Sequence, residues 1–316
     1  MQKPPTELHD WFAQRTFSAD AFRVDELAER KRASGLSVSV VLPARNEGPT
    51  IAGVVEAVRA AGDRLVDEVV VVDGGSSDGT AGVAAAAGAR VHQDATILPH
   101  LGPALGKGDA LWRSLTVTSG ELVVFIDSDI RNPHPRFVWG LLGPLLLDDD
   151  VQLVKAFYER PVQMDSVLYP SGGGRVTELT ARPLLNAFWP QLAGLVQPLS
   201  GEYAARRTLL ESIPFFTGYG VEFGLLVDTL ASAGTAAIVQ VDLSQRIHRN
   251  QTVDALSRMA FGIVQVALQR LAAEGRICLP ELPDSYVQFE RQHGKVTLHA
   301  RPIRVHERPP IASLER

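Results

Sequence analysis

The chain has 316 residues, 45% hydrophobic and 21% charged, the balance of a folded globular protein long enough for one large core or two linked ones. Its formal net charge is −5, and its 31 basic residues are scattered without a polybasic run, which excludes a general nucleic-acid or membrane-surface binder. The single cysteine, Cys278, excludes an internal disulfide. No apolar stretch reaches the ~18 residues of a membrane span, and MQKPPTELHDWF lacks a basic-then-apolar leader, so a cytoplasmic protein is expected.

In chain order, DAFRVDELAERKRAS has helical pattern, and LSVSVVLPARNEG reads as a first strand whose loop begins at Pro43. TIAGVVEAVRAAG follows with Ile51, Val54, Val55 and Val58 at helical spacing, Thr50 as the expected N-cap and Gly62 at the stop. DEVVVVDGGSSDGT is a second strand ending in a glycine-rich polar loop. AGVAAAAGA is a small-residue helix, RVHQD a third strand, GKGDALWRSLTVTSG a helix and ELVVFIDSDI the next strand. Apolar strands separated by single helices predict an α/β fold, a mainly parallel sheet covered on both faces. Ligands of such sheets gather at the carboxyl ends of the strands, where PARNE, DGGSSDG and DSD fall.

Beyond residue 150 the alternation weakens. VQLVKAFYERP reads as a strand with an edge proline, SGGGRVTELTARPLLNAF as a glycine-rich loop entering a helix, and GYGVEFGLLVDTLASAG as an amphipathic helix. TAAIVQVDLSQRIHRN is a strand running into a polar loop, and VDALSRMAFGIVQVALQRLAAEG a long helix. The proline-bearing tail from Leu279 is expected to be peripheral or to contact another subunit. The expected division is 1–155, 156–255 and 256–316.

Several residue types in this pattern carry chemistry. In an extended segment Asp127 and Asp129 project to one side, and paired carboxylates suit a hard divalent cation, Mg²⁺ or Mn²⁺. Asp148, Asp149 and Asp150 form a similar acidic run, but one that follows a helical pattern and reads as a solvated helix end. DGGSSDGT offers backbone amides to an anion or a capped tight turn, and it is neither a dinucleotide fingerprint nor a P-loop. Lys107, between two glycines before a helix, is a phosphate-reaching ammonium or a surface lysine. In SGGGR, Gly172, Gly173 and Gly174 with Arg175 make a small-anion cradle or a flexible loop. RIHRN sets Arg246, His248 and Asn250 on one side of an extended segment, offering a third metal ligand or a surface hydrogen bond. Glu222 opens a helix, where any acid is favoured.

Taken in order, VVLPARNE, VVVVDGGSSDGT, GKGDALWRSL and VVFIDSD resemble the nucleotide-sugar half of a GT-A type, Rossmann-like glycosyltransferase. QLVKAFYERP, GGGRVTELTARPLL, QPLSGEYAARR, GYGVEFGLLVDT and HRN resemble the bacterial glucosyl-3-phosphoglycerate synthases, over residues 20 to 255. The resemblance implies a smaller acceptor-binding half and a helical C-terminal region beside the nucleotide half. It implies a metal-dependent, retaining hexosyltransferase that moves glucose from UDP-glucose to the 2-hydroxyl of 3-phosphoglycerate, as a cytosolic homodimer.

By the same resemblance Pro43, Ala44, Arg45, Glu47, Asp73, Gly74, Lys107, Asp127 and Ser128 bind the donor nucleotide, and Leu199 and Tyr219 its sugar. Glu222 and Arg246 act at the reacting centre, and Asp129 and His248 hold Mg²⁺ or Mn²⁺. Gly174, Arg175, Val176, Thr177 and Asn250 bind the acceptor. Arg45 and Gly48 stand where relatives often have leucine and a second acid, and Gly74 where serine is common. The alternatives are transfer from GDP-mannose to the same acceptor, or transfer to a polyprenyl phosphate.

Overall fold

The computed structural model describes residues 5–160, 162–164, 167–169, 174–247, 251–292 and 294–314. Helix α1 (Thr6–Arg15) leads into β1 (Thr16–Ser18), and α2 (Val24–Ser34) into β2 (Val38–Ala44). Then come α3 (Gly48–Arg59), β3 (Glu68–Asp73), α4 (Thr80–Ala86), β4 (Arg90–Gln93), α5 (Lys107–Ser114) and β5 (Leu122–Phe125). Helix α6 (Arg136–Leu147) precedes β6 (Leu153–Glu159), the short pair β7 (Val162–Met164) and β8 (Val167–Tyr169), and α7 (Arg182–Phe188). The remaining elements are β9 (Tyr203–Arg206), α8 (Arg207–Ser212), β10 (Phe215–Phe216), α9 (Val221–Ala233), β11 (Ile238–Gln245), α10 (Val253–Ala273), β12 (Ser285–Gln292), β13 (Lys295–Pro302) and β14 (Glu307–Arg308).

Eight strands form the central sheet in the order β1-β11-β6-β9-β5-β2-β3-β4. All pair in parallel except β9, which lies antiparallel between β5 and β6. The expected mainly parallel sheet is therefore present, with one reversed strand. Alternation along the buried strands divides the core: Val40, Leu42 and Val124 face the helices α2, α3 and α6, while Val41, Val123 and Phe125 face α5, α9 and α10.

Two local readings change. Helix α3 starts at Gly48 with Pro49 in its first turn, so Thr50 lies inside the helix and is not its N-cap; its Oγ1 donates to the Ser128 carbonyl at 2.7 Å. Proline is favoured at that entry because the first helical amides have no partner to lose. The first helical pattern is also split: a short turn at Ala19–Ala21 precedes α2. Strands β1 and β9 and the β12–β13 hairpin carry too little periodic signal to be read ahead.

The tail is partly built into the fold. Strand β14 pairs antiparallel with β10. Arg308 makes a bidentate pair with Asp109 of α5, at 3.0 and 2.8 Å, and the Trp112 indole donates to the Pro309 carbonyl at 2.8 Å. Asp109 is wholly buried and also meets Arg113 at 3.3 Å and the Leu105 amide at 2.8 Å. Helix α5 approaches β10 so closely that a Cβ on Gly108 would lie 1.9 Å from the Phe216 carbonyl oxygen, a contact only glycine permits. Arg308→Ala should cost about 2 kcal/mol, below the ~3–5 kcal/mol of a fully stripped buried pair because Arg113 remains. Thermal unfolding measures this; an unchanged midpoint would detach the tail from the core.

Candidate active site

The loops at the carboxyl ends of β2, β3 and β5 are latched to one another. The Asn46 amide donates to Ser76 Oγ at 2.8 Å, the Ser77 amide to Asn46 Oδ1 at 3.0 Å, and the Gly48 amide to Asp78 at 3.0 Å. Ser128 Oγ donates to the Pro43 carbonyl at 2.7 Å, which ties DSD to the end of β2. Strand β5 stops at Phe125, so DSD sits in a turn and is not extended. Asp127 and Asp129 nevertheless face one point, because both carboxylates meet the same nitrogen of Arg246: Nη2 lies 3.0 Å from Asp127 Oδ2 and 2.8 Å from Asp129 Oδ1.

Arg246 reaches that point from the end of β11. A register break between Asp242 and Gln245, with Ser244 at φ 74°, bulges the strand before it rejoins β6 at Glu159, whose carbonyl accepts from the Arg246 amide at 3.1 Å. The Asn132 side chain accepts from the Ile247 amide at 2.6 Å and donates to the Gln245 carbonyl at 3.0 Å, fixing the turn beside DSD. On the other side Lys107, at the first position of α5, places Nζ 2.6 Å from Asp127 Oδ1 and 2.7 Å from Glu222 Oε1. Glu222, in the first turn of α9, is 5% exposed.

These charges sit largely out of water. Burial alone would raise the Asp127 carboxyl, but Lys107 and Arg246 hold it well below the usual carboxylate range. Burial, with repulsion from Asp127, pushes Asp129 up against the pull of Arg246 and Lys107. Burial would lower Lys107, yet Asp127 and Glu222 hold its ammonium well above the ordinary lysine value. Gly201 closes the back of the site: a Cβ there would stand 2.1 Å from Asp127 Oδ2.

All of this opens on a cavity of about 740 Å³. Its wall includes Pro43, Ala44, Arg45, Glu47, Gly74 and Lys107, then Asp127, Ser128 and Asp129. Gly174, Arg175, Val176 and Thr177 also line it, with Leu199, Tyr219, Glu222 and Arg246. Asp73 is the exception among the described residues. It is 1% exposed, and its carboxylate accepts from Ser76 and, at 2.9 Å, from Gln93, so it shapes the β3 loop from within. His248 and Asn250, with Gly172 and Gly173 of the glycine run and the expected edge proline Pro161, lie outside the described residues. Arg175 is exposed and donates to the Gln251 carbonyl at 3.0 Å, and a π-helical turn, Thr177–Ala181, begins beside it.

Asp94, Arg160, Gly201 and Met259 also line the cavity and were not read from sequence. Arg160 follows a strand directly and Gly201 precedes one, positions that carry ligands in such sheets. Met259 lies on a long amphipathic helix whose apolar residues read only as core.

Lys155 of β6 lies beneath the site, 2% exposed, donating to the Ser200 carbonyl with Nζ 4.5 Å from the Tyr203 ring centroid. Burial pushes its ammonium down to about 7, against the attraction of Glu222 and with the repulsion of Lys107. Between about pH 7 and the ordinary lysine value of 10.5, Lys155 is neutral in the fold and protonated when unfolded. Its contribution to stability is thus fully present above that window and lost as pH falls through it. Urea unfolding should show the gap between wild type and Lys155→Met growing in favour of wild type from pH 7 to 9, by up to about 1.4 kcal/mol per unit. A flat gap would mean the ammonium stays charged in the fold.

A mainly parallel sheet with loop-borne carboxylates and cations at its carboxyl ends defines a glycosyltransferase of the GT-A type, and residues 39–162 match the model of Glycosyl transferase family 2. The glucosyl-3-phosphoglycerate synthase of Petrotoga mobilis is 42% identical over 312 residues, covering 97% of this chain and 96% of that relative. The chain belongs to the glucosyl-3-phosphoglycerate synthase family. A crystal structure of the Mycobacterium tuberculosis glucosyl-3-phosphoglycerate synthase, in complex with Mn²⁺, UDP and glucosyl-3-phosphoglycerate, is 46% identical with a TM-score of 0.81, covering 92% of this chain and 95% of that one. The crystal structure of mannosyl-3-phosphoglycerate synthase from Rubrobacter xylanophilus is 43% identical with a TM-score of 0.91, covering 99% and 100%.

Proposed function

We propose that the chain transfers glucose from UDP-glucose to the 2-hydroxyl of 3-phosphoglycerate, with retention at the anomeric carbon and release of UDP. The observation that carries this reading is one cavity lined both by a carboxylate pair with two cations, Lys107 and Arg246, and by Gly174 and Arg175. That pairing suits a donor diphosphate and a separate small anion. The Mycobacterium tuberculosis complex with Mn²⁺, UDP and glucosyl-3-phosphoglycerate supports the same assignment.

In this reading residues 1–155 bind the donor nucleotide, 156–255 bind the acceptor and complete the sugar and metal sites, and the segment from 256 adds Leu256, Met259 and Ile263 to the cavity wall. Pro43, Ala44, Arg45, Glu47, Gly74 and Ser128 take the nucleoside, with Asp73 holding the β3 loop. Leu199 and Tyr219 take the sugar. Two carboxylates converging on one point are hard oxygen donors that fit a divalent cation, and Asp129, with His248 as the partner the family resemblance implies, would hold Mg²⁺ or Mn²⁺. When bound, the metal offsets charge on the leaving diphosphate. Lys107 and Arg246 add preorganised positive charge at the same place.

Gly174, Arg175, Val176, Thr177 and Asn250 fix the acceptor's phosphate. A remote anion held there leaves the hydroxyl oriented at the anomeric carbon, which lowers the barrier without a strong base. Glu222, its carboxylate held by Lys107 at 2.7 Å, orients sugar and hydroxyl. Transfer of mannose from GDP-mannose is the second reading, favoured by the likeness to the Rubrobacter xylanophilus enzyme.

A matrix of UDP-glucose, GDP-glucose and GDP-mannose against 3-phosphoglycerate and glycerate, with Mn²⁺, tests both readings. UDP release is expected only with UDP-glucose and 3-phosphoglycerate; faster turnover of GDP-mannose would select the second. In the same assay Arg175→Ala should raise KM for 3-phosphoglycerate more than about tenfold and leave KM for UDP-glucose within about twofold.

A homodimer in the cytoplasm belongs to the same proposal. Cys278, the single cysteine, is exposed. In the β12–β13 hairpin one face packs on α10 through Tyr286, 5.0 Å from Phe261, and Gln288, which accepts from Arg258 at 2.8 Å. The other face leaves Phe289 69%, Leu298 63% and Val296 55% exposed, an apolar patch suited to a second copy. Phe289→Asp with Leu298→Asp should give a monomer by light scattering; an unaltered dimer would move the interface elsewhere.

A further inference from the structure

Behind the carboxylate pair lies a buried polar cluster that no step above uses. Glu202 is 0% exposed and Tyr158 3%. The Tyr158 hydroxyl donates to Glu202 Oε2 at 2.5 Å and accepts from Arg246 Nη1 at 3.2 Å and from Arg160 Nη2 at 3.0 Å. Glu202 Oε1 stands 3.2 Å from Arg246 Nε, an ion pair whose angle falls short of a hydrogen bond. The Arg246 guanidinium carbon also lies 5.5 Å from the Tyr158 ring centroid. Two edges of the planar group are thus gripped from behind, and Nη2 alone is presented to Asp127 and Asp129.

A carboxylate with no exposed surface is costly to bury alone, since desolvation costs several kcal/mol per ion unless a close partner offsets it. Arg246 is the only cation within ion-pairing distance of Glu202 among the described residues. An arginine left loose would still meet a diphosphate electrostatically, but it would have to reorganise as charge moves onto the leaving group, the cost that preorganisation removes. We infer that Glu202 and Tyr158 are positioning residues for the transfer reaction, fixing Arg246 so that Nη2 is held at the carboxylate pair and the donor diphosphate. This rests on the glycosyl-transfer reading of the cavity.

The test is a double-mutant cycle on Glu202→Gln and Arg246→Met, read twice: as turnover of UDP-glucose with 3-phosphoglycerate, and as calorimetric binding of UDP with Mn²⁺, which needs no turnover. Glu202→Gln alone should lower kcat at least about tenfold, leave KM for 3-phosphoglycerate within about twofold and weaken UDP binding about fivefold. In the Arg246→Met background each effect should shrink to less than about twofold. Equal effects in both backgrounds, or an unchanged kcat and UDP affinity in the single variant, would overturn the inference, because a purely structural glutamate acts the same with or without Arg246. Should Glu202→Gln not fold, Tyr158→Phe takes its place in the cycle with the same outcomes. A wild-type chain that binds UDP yet turns over no donor would refute the function, while the UDP cycle would still decide the positioning.

Discussion

The site depends on one carboxylate and the two cations that keep it ionised. Asp127 would be driven toward its neutral form by burial, and Lys107 and Arg246 reverse that. Each partner arrives from a different part of the chain, Lys107 on α5 and Arg246 beyond the break in β11. Glu222 on α9 shares the lysine. Breaking either pair would leave partly buried charges with one partner fewer, so the helices and strands that bear these groups are bound to one geometry. Gly201 belongs to the same constraint, since its missing side chain is what lets the β9 entry lie against Asp127.

Most of the donor-side architecture is legible in the sequence because parallel strands buried on both faces read as continuous apolar runs. VVVV before Asp73 and LVVF before DSD need no partner to be recognised. The reversed strand β9 is different: Tyr-Ala-Ala-Arg is too short and too small-residued to carry a period, and only its place between β5 and β6 makes it a strand. Tertiary pairing, not local preference, decides it. Thr50 shows the same limit, because its hydroxyl serves Ser128, 78 positions away, and not its own helix.

Charges were legible as types and not as pairs. Asp127, Asp129, Lys107 and Glu222 can each be singled out from local context, yet nothing local says that one ammonium bridges two acids 95 positions apart. Glu202 was invisible for a related reason: in GEYAAR it looks like a surface acid, and its burial follows from the strand beside it. Whole-chain likeness has its own limit, since relatives named for glucosyl and for mannosyl transfer to 3-phosphoglycerate stand at 42% and 43% identity. Among the residues on the cavity wall, Arg45, Gly74 and Asp94 are grouped where β2 and β3 end: a Cβ on Gly74 would lie 3.5 Å from both Arg45 and Asp94.

The tie between Arg308 and Asp109 spans 199 positions and fastens the helix that begins at Lys107. During synthesis the central strands leave the ribosome well before residue 308 does. Until then that helix lacks its clamp, and Asp109 has only Arg113 of its own helix as a counter-charge. The fastening of α5 is therefore among the last contacts the chain can make, together with the pairing of the final strand against Phe215 and Phe216.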